Sequence, residues 1–257
     1  MVDVERHGTT VVLRLNRPEV GNALNDEVIA RLGQALAAVR NDAAVRTVVL
    51  TGTGKVFSAG ADLKWMLRMK DAGAEENLRD ARQTAALFAE IYDFPRPVIA
   101  AVNGPARGGG VGLIAACDFA VAVTGAHFAF TEVRVGIIPA MISPFVLRKM
   151  GESRTRRLFL TGETFSAPQA AEWSLLDRVV EPAQLDAAVN ELAQTLRSSG
   201  PAAIGAVKRL IRRVSDAPES ELADITARAI ADIRATDEAR EGMAAFLEKR
   251  APKWAAE

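Results

Sequence analysis

Residues 106–118 read ARGGGVGLIAACD, with glycine at 108, 109, 110 and 112 and apolar sequence directly after. Glycine offers no packing side chain and loses more conformational freedom on folding than any other residue. Such a run serves either a tight turn or a stretch of bare backbone that a ligand can approach. If a helix begins near Gly110, the amides around Gly109 sit at its open N-terminal end, where partial positive charge collects. A second loop-to-helix junction of this type occurs in SAGADLKWM, residues 58–66. Two junctions that each lend one N–H make a hole for a developing oxyanion. On these residues alone, the oxyanion hole and the plain turn both stand.

Other glycine-loop chemistries fail on spacing. The P-loop needs Gly-Lys-Ser/Thr, and Lys55 is followed by Val56. The dinucleotide pattern Gly-x-Gly-x-x-Gly breaks at Phe57 after Gly52 and Gly54, and at Leu113 after Gly108 and Gly110. A nucleophile elbow around Ser58 is excluded by Val56. His7 and His127, the two histidines of the chain, cannot build a multi-histidine metal site, so no metal is expected.

The elements that must carry these loops alternate between strand and helix. TTVVLRLN (9–16) has a β-branched core, and DEVIARLGQALAAVRND (26–42) repeats apolar residues at helical spacing after a capping Asn25 or Asp26. VRTVVLTG (45–52), PVIAAVNG (97–104), DFAVAVT (118–124) and HFAFTE (127–132) read as strands, with a helix in LKWMLRM and another over 81–93. Residues 70–80 are polar and predict a mobile loop, and 133–144 predict another. From 145 onward the pattern is mostly helical. This order predicts an α/β fold, with a core over 1–199 and a helical region over 200–257.

Lys+Arg and Asp+Glu number 32 each among 257 residues, so there is no global field to gather nucleic acid or an anionic membrane. A lone cysteine, Cys117, fits a reducing compartment, the N-terminus lacks a signal peptide's apolar segment, and no run spans a bilayer. The expectation is a soluble, cytoplasmic protein without nucleic-acid or membrane partners.

NRPEVGNALN, VFSAGADLK, PVIAAVNGPARGGGVGLIAACD, FAFTEVRVGIIP, LTGETFSAPQAAEWSLLDRVV and GMAAFLEKRAP follow one another in an order and spacing that resembles the crotonase superfamily, the enoyl-CoA hydratase/isomerase proteins. The resemblance covers essentially the whole chain. It implies a crotonase-like spiral of ββα units with a helical C-terminal oligomerisation region that assembles trimers, often paired into hexamers. It also implies an acyl-CoA thioester substrate, with coenzyme A part of that substrate rather than a separate cofactor. By motif position, the amides of Ala61 and Gly109 would grip the thioester oxygen. Ala59, Asp62, Leu63 and Lys64 would lie along the CoA, and Phe246 and Lys249 would close over its adenine end, often from a neighbouring subunit. Trp65, Met66 and Leu67 either line the acyl pocket or belong to the core.

Hydratases of this family generally carry two glutamates. Glu132 matches the second, while Gly112 stands where the first would be. A partly buried Glu132 would have its pKa raised by desolvation, which suits proton transfer near neutral pH. One base and an oxyanion hole suffice for a Δ3,Δ2-enoyl-CoA isomerase. GGGVGL together with GIIPAMISPFVLRKMG instead resembles a branch labelled methylglutaconyl-CoA or enoyl-CoA hydratase. There Glu132 would protonate Cα, and Arg107, Arg134 or Ser143 would orient water or a substrate carboxylate. The expected function is a hydratase-type lyase on a 2-enoyl-CoA, with the isomerase or a non-catalytic acyl-CoA-binding member as alternatives.

Overall fold

The computed structural model describes residues 1–255. β1 (Val2–His7) and β2 (Thr10–Leu15) pair antiparallel, and β2 then runs parallel to β3 (Thr47–Gly52). β4 (Val98–Val102), β6 (Phe119–Val123) and β9 (Arg178–Val180) continue the sheet in the order β1-β2-β3-β4-β6-β9. Every residue of β3 and β4 is buried, as central parallel strands covered on both faces must be. Cover comes from α1 (Asp26–Arg40), capped by the Asn25 side chain, and from α7 (Leu185–Arg197), while α3 (Ala74–Tyr92) packs on α1.

A smaller sheet joins β5 (Ala106–Arg107), β7 (His127–Ala129) and β8 (Thr164–Ser166) in that order. Between the sheets lies α4 (Gly109–Ala116), seven of whose eight residues are buried. It packs against α3, α5 (Ser143–Thr161), β4 and β5, which is why its sequence is apolar all round. Cys117 follows it, and burial pushes its thiol up to about 12, so it stays protonated and inert.

α8 (Pro201–Asp216), α9 (Glu219–Arg234) and α10 (Asp237–Leu247) pack on one another. The last two positions of the expected 200–257 helical region lie outside the described residues. Arg46 ties this end to the sheet, donating to the carbonyls of Trp254, Arg197 and Ser199. Lys208 of α8 reaches Asp118 at 2.7 Å and the Arg96 carbonyl at 3.4 Å. No described helix is long and apolar enough to cross a membrane.

Several expected elements need correction. Residues 74–80 are not a mobile loop but the first two turns of α3. Their polarity reflects an exposed helix face, and Asp80 accepts a hydrogen bond from Trp65 Nε1 there. The expected 127–132 strand stops at Ala129, and Glu132 opens a short 3-10 turn, Glu132–Val135, inside the expected 133–144 loop. β1, β8 and β9 lie outside the stretches expected as strands. β8 and β9 are three residues each, too short for an alternation to show.

The Asp118–Lys208 pair generates a stability prediction. Burial raises the Asp118 carboxyl, with Lys208 opposing that rise. Lys208→Ala removes the cation facing this carboxylate, leaving it the Val98 amide, and should cost about 3 kcal/mol at neutral pH. The folded-state pKa then lies further above the unfolded one, so the variant binds the proton more tightly when folded. Its deficit should therefore shrink as pH falls through the raised pKa, read by thermal unfolding at several pH values.

Candidate active site

Three segments distant in sequence are laced together by backbone hydrogen bonds. Phe57 N donates to Pro105 O at 3.0 Å and Arg107 N to Ser58 O at 3.0 Å, so the 57–58 and 105–107 stretches run side by side. On the other flank, Leu24 N donates to Gly60 O at 2.7 Å and Asp62 N to Leu24 O at 2.8 Å. Backbone groups alternate in direction along an extended strand, so when Gly60 C=O and Asp62 N–H face Leu24 the Ala61 N–H faces away. Gly108 N is taken by Ala129 O at 2.9 Å, while Gly109 is the first residue of α4 and has no intrahelical acceptor for its N–H. Among the described residues neither the Ala61 nor the Gly109 amide has a hydrogen-bond acceptor.

The glycines answer to steric limits rather than to turns alone. Gly60 has φ +89°, and a Cβ there would stand 2.7 Å from Arg107 O. Gly108 has φ +46°, and its Cβ would stand 2.8 Å from Glu132 Oε1. Ala61 and Gly109 therefore reach one small cavity of about 90 Å³ because the backbone around them is stripped.

Glu132 lies in that cavity against Gly108. Its Oε2 is buried with no hydrogen-bond partner among the described residues. Burial raises its carboxyl above the usual range, with its own backbone amide easing the ionised form. The rest of the wall is apolar: Leu24, Ile29, Trp65, Phe88 and the 137–142 segment, IIPAMI. Thr84 adds a hydroxyl to the wall, and it donates to the Asp80 carbonyl at 3.1 Å. An unpaired carboxyl in an apolar pocket beside two free amides is equipped to move a proton next to a carbonyl whose oxygen becomes negative.

The remaining expected residues are distributed as follows. Ala59, Leu63 and Lys64 are exposed on the loop and first turn leading into α2 (Leu63–Lys70). Asp62 is buried and caps α2 through Lys64 N and Trp65 N, and Arg17 binds its other oxygen at 2.9 Å. Burial opposes its ionisation, but Arg17 and the two amides prevail and hold the carboxyl below the usual range. Its side chain is thus committed to the fold. Trp65 lines the cavity; Met66 and Leu67 do not. Phe246 and Lys249 sit exposed at the end of α10 and after it, away from the cavity wall.

Arg107 is exposed, the Arg134 side chain lies against Gly162, and the Ser143 hydroxyl donates to Ala140 O at 2.8 Å; none of the three lines the cavity. A larger groove, about 760 Å³, lies by β2–β4 and α7 and contains none of the expected site residues.

The sequence alone did not single out Arg17, Phe88 or Ile142. Arg17 and Asp62 are 45 positions apart, and nothing local links them. Phe88 follows Thr84 by one helical turn, a spacing that marks the buried face of α3 without saying what it faces.

The enoyl-CoA hydratase/isomerase family model matches residues 5–257. The chain belongs to that family. A Thermus thermophilus protein named as an enoyl-CoA hydratase is 39% identical over 254 residues, 99% of this chain and 100% of that one. The carnitinyl-CoA dehydratase of Salmonella typhi is 37% identical over 258 residues, covering 97% and 96%. Among solved structures, an enoyl-CoA hydratase from Shewanella pealeana superposes with a TM-score of 0.95 at 37% identity, covering 98% of this chain and 95% of that one. Pseudomonas aeruginosa AtuE gives 0.94 at 35% identity, with 99% of each chain covered. The fold is the crotonase fold of this family, and the protein is an enzyme of the enoyl-CoA hydratase/isomerase type.

Within this family fold, the buried Glu132 carboxyl yields a stability signature. Its folded-state pKa is raised, so its contribution is fully present below the unfolded pKa and is lost as pH rises through the folded one. Glu132→Gln removes the cost of ionising there. The variant should melt above the parent at pH 8, with the gap narrowing below pH 5, in thermal unfolding of the two proteins side by side.

Proposed function

We propose that the protein adds water to a 2-enoyl-CoA thioester, and removes it in reverse, with Glu132 as a single acid–base. The observation that supports this most is one unpaired carboxyl sharing an apolar cavity with two unengaged backbone amides. The Glu132 carboxylate takes a proton from water as the water oxygen bonds to C3. The C2–C3 π pair moves toward the carbonyl, and the thioester oxygen becomes an enolate oxyanion held by the N–H groups of Ala61 and Gly109. Glu132 then returns the proton to C2 and the thioester carbonyl re-forms. Hydroxyl and proton come from one water and arrive on the same face. Each amide donor of such a hole is worth about 3–4 kcal/mol of barrier. Names of the similar proteins, an enoyl-CoA hydratase and a carnitinyl-CoA dehydratase, describe the two directions of such water chemistry for those proteins.

The CoA handle is assigned to the Ala59–Lys64 segment, where Ala59, Leu63 and Lys64 are exposed and Asp62 fixes the turn. Phe246, 83% exposed, and Lys249 are assigned to the adenine end of a neighbouring subunit's CoA in a trimer or hexamer. One observation favours a second reading: among the described residues the cavity wall carries no second titratable side chain. Glu132 alone can take a proton from C2 of a 3-enoyl-CoA and return it at C4, which is the isomerase.

Crotonyl-CoA, 3-methylglutaconyl-CoA and 3-hexenoyl-CoA, followed by mass, separate these outcomes. The expected result is gain of one water on a 2-enoyl substrate. An isobaric product from 3-hexenoyl-CoA alone would establish the isomerase, and binding without conversion would make the protein an acyl-CoA-binding member. Glu132→Gln should lower turnover by about 10²–10⁴-fold while leaving acyl-CoA affinity nearly intact. Unchanged turnover would remove Glu132 from the chemistry.

A further inference from the structure

Gly112 carries no side chain, yet no space is left beside it. A Cβ built there would overlap Ile142 Cγ2, stand 2.8 Å from Ile142 Cβ and 3.2 Å from the Phe88 ring. Ile142 arrives from 30 positions further along the chain and occupies the volume a residue at 112 would need. Its backbone is fixed, because its carbonyl accepts from Phe145 N and Val146 N at 3.1 Å each at the start of α5. Phe145 in turn packs its ring on Phe88 and Tyr92 of α3, at centroid distances of 6.3 and 5.4 Å.

Ile142 also lines the cavity that holds Glu132. It is 3% exposed, whereas Ile137 and Ile138 of the same segment are 45% and 72% exposed. The segment therefore runs from a solvent-facing rim to a buried floor, and Ile142 is at the floor.

We infer that Ile142 is the residue that sets acyl-chain specificity: it closes the deep end of the cavity by filling the space over Gly112. This rests on the reading that an acyl thioester lies in the cavity. Two consequences follow. The acyl chain that fits is short, because the floor is a branched side chain locked between α3, α4 and α5. An acid placed at 112 cannot reach the cavity unless Ile142 is displaced, so Gly112→Glu by itself disrupts the wall and does not add a second carboxylate to the chemistry.

The test reads both the contact and the specificity. Thermal unfolding of Gly112→Ala, Ile142→Ala and the double variant should show both single changes lowering Tm. The double variant should lose clearly less than the two together, because the alanine methyl at 112 enters the space that Ile142→Ala vacates. Dissociation constants for butyryl-CoA and octanoyl-CoA should shift toward octanoyl-CoA in I142A by about tenfold or more relative to the parent. Ile142→Val removes one carbon and should move the ratio the same way by less, which keeps the test in hand if I142A fails to fold.

Additive Tm losses, or an unchanged ratio in a folded Ile142 variant, would overturn the assignment. A parent that binds acyl-CoA without converting any enoyl-CoA would defeat the proposed reaction and leave this assignment standing. An unchanged ratio in a folded Ile142 variant, alongside a parent that hydrates 2-enoyl-CoA, would do the reverse.

Discussion

The site depends on lateral backbone pairing among segments that are far apart in the chain. Residues 57–62 are held between residue 24 on one side and residues 105–107 on the other, and the bonds that hold them use up almost every amide in the neighbourhood. Of those that remain, the amides of Ala61 and Gly109 belong to residues lining the cavity. Such close approach leaves no volume for side chains. At Gly60 and Gly108 a methyl group would strike a carbonyl oxygen or the Glu132 carboxyl, and positive φ adds a second reason for glycine at both. The entropy that glycine loses on folding thus accompanies two amides left without an acceptor beside one cavity.

The second constraint is electrostatic. Glu132 is placed where water and partners are withdrawn from it, at some cost to the fold, whereas Asp62 only a few ångströms of chain from the free amides is fully engaged by Arg17 and the α2 amides. Two carboxyls near one cleft therefore differ in kind: burial without a partner raises one, and an arginine with two amides lowers the other and commits it to the fold. Residue type alone does not separate them; the neighbours do.

The cavity is also shaped by elements that contribute no polar group. α3 supplies Thr84 and Phe88, and its first turns hold Trp65 in place through Asp80. α5 delivers Ile142 to the floor. The C-terminal helices lie away from the cavity and are fastened to the sheet through Arg46 and Lys208, so polar links join the core that carries the 57–62 and 105–109 loops to the helical end.

What the sequence alone determined here is what local pattern and ordered motifs can carry. Central strands β3 and β4 announce themselves as short apolar runs, α1 by its cap and periodicity, and the two glycine- and alanine-rich loop-to-helix junctions by composition. The ordered motifs gave the family, which the whole-chain match establishes. Tertiary structure alone decided which neighbours each residue meets. It placed residues 74–80 as the outer turns of α3, tied to α2 through Asp80 and Trp65, and it committed Asp62 to Arg17. It also filled the space over Gly112 with Ile142. The physical reason is that desolvation and steric exclusion are set by whatever distant segment occupies the adjoining volume, and no window of sequence contains that segment.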